Sequence, residues 1–298
     1  MFLKKKTLGY TKTYLDKVGE IKDILDKADY ILIGAGAGLS ASGGINYVDE
    51  NLTKEWFPEY YKQGLKSIVE IQSVFWNLRK ENVLSYWGYW AKHIYNIRYK
   101  SEALEPYQSL YEILKDKNYF IITTNVDGQF EKAGFSKEKI FAPQGEYRLF
   151  QCSKPCSDEL YDNKDIIEKI LKNMEDEYKI KEEDIPICPR CGEYLIPNLR
   201  IDSRFVESKH LKNIDKYQEF VRTAKGKSFV LLELGVGFNT PIIIRYPFEK
   251  IVYNYTENTK LVRINMDYAD VPKEIEEKSI TIQGDIKKVL NDILSSNY

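Results

Sequence analysis

Tyr30-Ile31-Leu32-Ile33-Gly34-Ala35-Gly36-Ala37-Gly38-Leu39-Ser40-Ala41 runs from four apolar residues straight into glycines. An apolar run that breaks into a Gly-rich turn and then into small residues reads as a first parallel strand followed by a helix. Gly36-Ala37-Gly38-Leu39-Ser40-Ala41 satisfies G-x-G-x-x-G/A. In that pattern glycines let backbone approach a phosphate, and the helix N-terminus offers unpaired N–H groups. A tight strand-to-helix turn without any ligand satisfies the same letters, so both readings stand on this segment alone. The dehydrogenase version of the pattern needs a second strand with an acidic residue ~20 positions on. Here Glu55-Trp56-Phe57-Pro58-Glu59-Tyr60-Tyr61 carries a proline and no strand-like run. The sequence has no G-x-x-x-x-G-K-[ST] loop. A dinucleotide is therefore compatible with the segment, and the hydride-transfer layout is not.

Outward from this turn the chain alternates strand and helix. Leu15, Val18, Ile21, Ile24 and Leu25 place a helix over 11–27. Short, unalternating apolar runs predict strands at 30–33, 119–124, 139–142, 229–234, 261–264 and 280–282, as in a parallel sheet covered on both faces. Helices are expected at 106–117 and 285–294, giving the βαβ signature of an α/β fold. Two stretches do not fit: 46–99 is long, aromatic and helical in pattern, and 150–202 holds the cysteines and a charged helical insert at 158–184. The expected organisation is a discontinuous Rossmann-like domain (1–45, 100–149 and 206–298) and a smaller helical and zinc-ribbon domain (46–99 and 150–205). Trp56, Phe57, Tyr60 and Tyr61 read either as core of that insertion or as a docking surface.

Composition limits the chemistry. In 298 residues, 44 Lys plus Arg stand against 45 Asp plus Glu, which lacks the basic excess of a nucleic-acid binder. No apolar run reaches the ~18 residues of a membrane span. Met1–Tyr10 is basic with no apolar run behind it, so no secretory signal is expected and the cytoplasm is the expected compartment. The two histidines are His93 and His210. The four cysteines form two close pairs, Cys152-x3-Cys156 and Cys188-x2-Cys191, with 31 residues between them. Two such pairs suit a tetrahedral all-sulfur zinc site, and a reducing compartment disfavours the disulfide reading. Four protein ligands leave no open position, so the expected zinc is structural.

Thr123-Thr124-Asn125-Val126-Asp127-Gly128 follows the 119–124 strand. Asn and Asp there lie where open α/β sheets bind ligands, although an Asx turn capping the next helix explains the same letters. In order, Gly36-Ala37-Gly38-Leu39-Ser40, Thr123-Thr124-Asn125-Val126-Asp127, the two Cys pairs and Ile264-Asn265 resemble the sirtuins over nearly the whole chain. Three departures stand out. The family's G-I-P-D-F-R is Gly44-Ile45-Asn46-Tyr47-Val48-Asp49, its His-Gly is Gln144-Gly145, and its G-T-S is Gly235-Val236-Gly237. With these, the chain is similar to the macrodomain-linked (class M) sirtuins of bacteria.

The resemblance implies NAD as co-substrate and protein ADP-ribosyl transfer. It also implies a lipoylated glycine-cleavage H-like carrier protein as acceptor and a macrodomain ADP-ribosyl hydrolase as reversing partner. By the same resemblance Gly36, Ala37, Gly38 and Ser40 cradle the pyrophosphate, and Asn125 and Asp127 hold the nicotinamide and its ribose. Gln144 takes the place of the family's catalytic His, Gly235, Val236 and Gly237 lie along the adenosine half, Asn265 contacts its ribose, and Asp285 lies near adenine. A glutamine amide orients and hydrogen-bonds but takes no proton near pH 7. Deacylation, which uses that His as base, is therefore disfavoured, whereas loss of nicotinamide needs positioning and charge stabilisation more than a base. The alternatives are a deacylase or NAD hydrolase on the same fold, and a non-catalytic NAD or ADP-ribose sensor.

Overall fold

The computed structural model describes residues 12–174 and 179–296. The reading of Met1–Tyr10, and positions 175–178 of the charged insert, lie outside them. The strands are β1 (Tyr30–Ala35), β2 (Tyr119–Thr123), β3 (Ile140–Phe141), β4 (Gly145–Cys152), β5 (Tyr161–Asp162), β6 (Leu195–Leu199), β7 (Phe229–Leu234), β8 (Thr259–Asn265) and β9 (Ser279–Gln283). Six of them form one parallel sheet in the order β3-β2-β1-β7-β8-β9. These six are the runs read as strands from their apolar pattern. β2 and β7 are buried at every position, which is why they carry no alternation.

The flanking helices are also where the periodicity puts them. The first spans Tyr14–Lys27, starts at a Thr13/Asp16 capping box, and buries Val18, Ile21 and Leu25. Glu105–Leu114 carries Pro106 in its first turn, and Ile286–Ser295 begins at Asp285, whose side chain accepts from Lys287 N. These three helices cover one face of the sheet through Leu110, Leu114, Val289, Leu290 and Ile293. Ala224, Ile244, Phe248 and Val252 cover the other. Among the described residues no helix is long and apolar enough to cross a membrane.

A second core joins the two stretches that did not fit the sheet. Trp87, Trp90 and Ile97 from the first pack with Tyr147, Phe150, Ile167 and Leu199 from 145–205. Trp56, Phe57 and Tyr60 belong to this core, so the docking reading of those rings gives way to the packing one. The charged insert is helical over Lys164–Asn173, and an antiparallel sheet β5-β4-β6 runs beside it.

The four cysteine sulfurs lie within 4.8 Å of one another, with Cys152–Cys191 at 3.6 Å and Cys156–Cys188 at 3.7 Å. A tetrahedron with Zn–S bonds of about 2.3 Å has edges of about 3.8 Å, so the donor set fits zinc. No disulfide links them. The Cys188–Cys191 knuckle closes through Gly192 N to Cys188 O at 3.0 Å, with Gly192 at φ +77°, a conformation that favours glycine. The Tyr161 hydroxyl lies 3.8 Å from Cys188 Sγ, an outer contact of the kind that orients metal ligands.

Two outcomes follow from this packing. Stripping the metal with a chelator is expected to lower the unfolding midpoint by several degrees, since a ligand at a thousandfold excess over Kd stabilises by about 4 kcal/mol. Native mass spectrometry should find one zinc per chain, lost in Cys191→Ser; a metal-free chain of undiminished stability would sink the assignment. Gly38→Ala is expected to destabilise by about 1–3 kcal/mol in urea unfolding. Its new Cβ would stand 2.7 Å from Gly235 Cα and 2.9 Å from Gly235 O, backbone atoms with nowhere to go.

Candidate functional site

From β1 the chain steps outward to β2 and β3, then returns to the opposite side of β1 as β7, β8 and β9. The loops after β1 and β7 therefore leave the sheet in opposite directions, and the crevice between them is where open parallel sheets bind ligands. A cleft of about 440 Å³ lies there. Gly36, Ala37 and Gly38 face Gly235, Val236 and Gly237 along its middle. Gly38 N donates to Gly235 O at 3.0 Å, and Gly36 N donates to Leu234 O at 3.0 Å. Gly235 itself is left-handed at φ +62° and would press a Cβ to 2.6 Å from Gly38 Cα. The motif glycines thus serve first to let two backbones touch, and the cleft floor is the seam between them.

At the β2–β3 end stand Asn125, Val126 and Gln144. Asn125 Nδ2 lies 3.0 Å from Gly36 O and 2.9 Å from Tyr107 Oη. A carbonyl only accepts, so the amide nitrogen faces inward and the amide oxygen is left for the cleft. Asp127 does not reach the cleft. It is buried, with Oδ2 accepting from Ser40 Oγ at 2.6 Å and Oδ1 from Gln129 N at 3.0 Å. Burial raises its carboxyl above the usual range, and the Ser40 and Gln129 hydrogen bonds draw it back. Ser40 is buried too, tied to Asp127 and to Tyr107 Oη at 2.7 Å. The structure therefore places the side chains of Ser40 and Asp127 behind the loop, as a brace under Asn125, and not beside a ligand. The Asx-turn alternative describes Asp127 well.

Gln144 is half-buried, its carbonyl accepts from Arg200 N at 2.9 Å, and among the described residues its side-chain amide has no partner. Neither histidine substitutes for a base there. His93 lies on the Val83–Ile94 helix, fully buried, and burial pushes its imidazole down to about 3. His210 bonds Asn198 Oδ1 at 2.5 Å, and burial lowers it to about 4. The charged side chains lining the cleft, among the described residues, are Arg200 near Gln144 and Asp267 at the far end.

The β7–β8 end is built from Asn265. Its Nδ2 donates to Val236 O at 3.0 Å, and its Oδ1 accepts from Asp267 N and Tyr268 N at 3.2 Å each. The loop carrying Asp267 and Tyr268 is held from below by a buried ion cluster. Arg263 pairs with Glu233 through Nε–Oε1 at 2.7 Å and Nη2–Oε2 at 2.9 Å, and donates to Asp270 O at 2.6 Å. Arg245 donates to Tyr268 O and Asp270 O at 2.9 Å each. Asp285 is not among the cleft-lining residues; its carboxylate caps the last helix.

The sequence reading thus placed nine cleft residues: Gly36, Ala37, Gly38, Asn125, Gln144, Gly235, Val236, Gly237 and Asn265. It missed Tyr47, Gln72, Tyr147, Arg200, Asp267 and Tyr268. Asp267 could have been found from its place two residues beyond Asn265 at a strand end; the others carry no local signal. The residues present suit an elongated two-ended nucleotide such as NAD: glycine backbone in the middle, an amide side chain toward each end, and Asp267 able to accept from ribose hydroxyls.

No protein-family model matches the chain. A protein ADP-ribosyltransferase of Staphylococcus aureus is 30% identical over 281 residues, covering 93% of this chain and 87% of that protein. A probable bifunctional ADP-ribose hydrolase/ADP-ribosyltransferase of Fusarium oxysporum f. sp. cubense is 32% identical over 288 residues, covering 90% of this chain and 46% of that protein. The chain thus spans a little under half of the fungal protein. A Sir2 homologue solved in complex with NAD has the same fold, with a TM-score of 0.56 over 93% of this chain and 92% of that one at 14% identity. The chain belongs to the sirtuin family, as a relative of its protein ADP-ribosyltransferases.

Proposed function

We propose that the chain is a sirtuin-type protein ADP-ribosyltransferase that moves ADP-ribose from NAD to a protein acceptor and releases nicotinamide. The observation that carries this reading is the chemistry of the β2–β3 end: amides, phenols and the Arg200 guanidinium line it, and among the described residues no His, Lys, Cys or Glu does. Breaking the bond between nicotinamide and C1′ of its ribose develops positive charge at C1′. The acceptor nucleophile bonds that carbon, nicotinamide leaves with the electron pair, and the acceptor's proton goes to solvent. Such a step gains from fixed dipoles and placement, which a braced Asn125 supplies, while the Gln144 amide, without a partner among the described residues, is left to hydrogen-bond the ligand. A deacylase needs in addition a base for the ribose hydroxyl, and glutamine is none.

Asn125 and Gln144 are assigned to the nicotinamide-ribose end. Gly36, Ala37, Gly38, Gly235, Val236 and Gly237 are assigned to the pyrophosphate seam, and Asn265 with Asp267 to the adenosine end. Asp127 and Ser40 act through Asn125, and Asp285 through the last helix. The division at 46–99 and 150–205 is proposed as a lobe that closes the cleft from above. The proposed acceptor is a lipoylated glycine-cleavage H-like carrier protein. A macrodomain hydrolase is the proposed reversing partner, in keeping with the fungal relative, whose name pairs hydrolase and transferase in one chain.

An intact-mass assay with NAD tests this, using the carrier lipoylated, the carrier bare, and an acetyl-lysine peptide. The expected result is an ADP-ribose mass gain on the lipoylated carrier. Deacetylation of the peptide as fast as transfer would overturn the mechanism, and nicotinamide release with no acceptor modified would favour hydrolysis. Asn125→Ala is expected to lower transfer about 10²–10³-fold, the scale for losing one preorganised polar group, with a cooperative unfolding transition retained. Gln144→His is expected to confer slow deacetylation that falls away below about pH 6.5, as an unperturbed imidazole there takes up its proton.

A further inference from the structure

A line of hydroxyl and imidazole groups runs from the cleft into the core of the smaller lobe. Tyr47 lines the cleft and is half-buried. Its Oη lies 3.4 Å from Tyr147 Oη, which lies 3.0 Å from His93 Nε2, and His93 Nδ1 lies 3.2 Å from Tyr89 Oη. Tyr147 also lines the cleft and hydrogen-bonds the Gln72 side chain. The imidazole is enclosed by the rings of Tyr47, Tyr89, Trp90 and Tyr147, with centroids 5.2–5.4 Å away. An aromatic core of this kind packs without any polar member, yet here a fully buried histidine has both nitrogens engaged, and the line ends at the cleft.

We propose that the Tyr47 hydroxyl touches the nicotinamide of NAD, and that Tyr147 and His93 are positioning residues that fix that hydroxyl. This rests on the reading above, in which the nicotinamide-ribose half lies over β2 and β3.

The chain of groups has one property a lone tyrosine lacks. A neutral imidazole carries one donor and one acceptor nitrogen, so the two bonds at His93 run in one sense, from Tyr89 toward Tyr147 or the reverse. Tyr147 shares one O–H and two lone pairs among His93, Gln72 and Tyr47, and so sets whether Tyr47 presents its O–H or its lone pairs to the cleft. Burial keeps His93 neutral far below pH 7, so the line stores no proton. Among the described residues the hydrogen-bonded line ends at Tyr89, which is fully buried. It is therefore a device for orientation and not a relay to solvent. It stands where the family's aspartate would be: Tyr47 occupies that place in Gly44-Ile45-Asn46-Tyr47-Val48-Asp49.

Tyr47→Phe removes one oxygen and keeps the ring. The affinities of NAD and of ADP-ribose, which lacks nicotinamide, are measured by calorimetric titration beside the rate of nicotinamide release. The expected result is an about tenfold fall in the ratio of NAD to ADP-ribose affinity, and an about 10–100-fold fall in kcat. ADP-ribose affinity and the unfolding midpoint stay as in the unsubstituted chain. His93→Gln, which keeps one donor and one acceptor, is expected to stay within about threefold in kcat, whereas His93→Leu should match Tyr47→Phe. If His93→Leu fails to fold, the Tyr47→Phe and His93→Gln pair still decides. An unchanged affinity ratio and unchanged nicotinamide release in folded Tyr47→Phe would overturn the proposal. Should no acceptor gain ADP-ribose, the transferase reading fails, while the affinity ratio still reports on Tyr47.

Discussion

The contact of the Gly36–Gly38 backbone with Gly235 is the constraint on which the rest of the molecule is arranged. Two neighbouring parallel strands, β1 and β7, end in loops that turn opposite ways, yet the loops touch closely enough that a single methyl group has no space at any of the three positions. That contact makes a narrow floor at the switch point of the sheet. Asn125, Gln144, Gly237 and Asn265 hang from strand ends on one side of this floor or the other, and Tyr47, Gln72 and Tyr147 reach the cleft from the second core. Residues after β2 and β3 form one end, residues after β7 and β8 the other, and a bound molecule must cross the seam to touch both. The usual account of such glycines gives phosphate approach as their purpose. Here Gly38 has already engaged its N–H with Gly235 O, so their first task is to bring the two halves together.

Each end then solves the same problem, holding a polar side chain rigidly in a loop, by a different route. Asn125 is fixed through a buried, largely hydroxyl network of Ser40, Tyr107 and Asp127. Asn265 is fixed by its own neighbours, and the loop beyond it is carried on the Arg263–Glu233–Arg245 cluster. Burying those charges is costly, and burial does push the Glu233 carboxyl up against the pull of Arg263. The cluster repays this cost in position: four of its guanidinium N–H groups are accounted for by backbone carbonyls of residues 268–270 or by Glu233. At the Asn125 end a preorganised dipole of this kind can stabilise developing charge without reorganising, while at the Asn265 end the bracing serves to hold the loop in place.

Much of this was legible in the residues. The six strands of the main sheet follow from apolar runs, because a strand buried on both faces announces itself without needing a partner. The cysteine spacing carries its geometry with it. That Asn125 and Gln144 line the cleft was legible because they follow strand ends, where the crevice of an open parallel sheet lies. Ser40 and Asp127 sit in the same motifs, but which way a side chain turns depends on what lies behind it. Tyr107, 67 residues from Ser40 along the chain, closes their network. β4 was not apparent as a strand: its exposure alternates over Gly145–Arg148 and then stops, as Leu149–Cys152 become buried on both faces. Tyr47, Tyr147 and His93 come from three separate segments, and no local pattern in any one of them points to the other two.

That distribution bears on how a base-free site can arise on this fold. Among the described residues no imidazole lines the cleft, where Gln144 stands, and the two imidazoles present elsewhere are held neutral by burial. With no proton to take, the remaining means of raising a rate is to hold dipoles in place, and dipoles held in place must be braced. The bracing observed is deep: behind Asn125 stand Ser40, Tyr107 and Asp127, and behind Tyr47 stand Tyr147, His93 and Tyr89. An aromatic lobe rich in phenols suits the second of these, since a tyrosine buries its ring among apolar neighbours while its hydroxyl passes orientation to the next group. The lobe's core and the cleft wall are then joined through Tyr47, Tyr147 and His93, and on the proposed reading a change in that core is carried to the nicotinamide end.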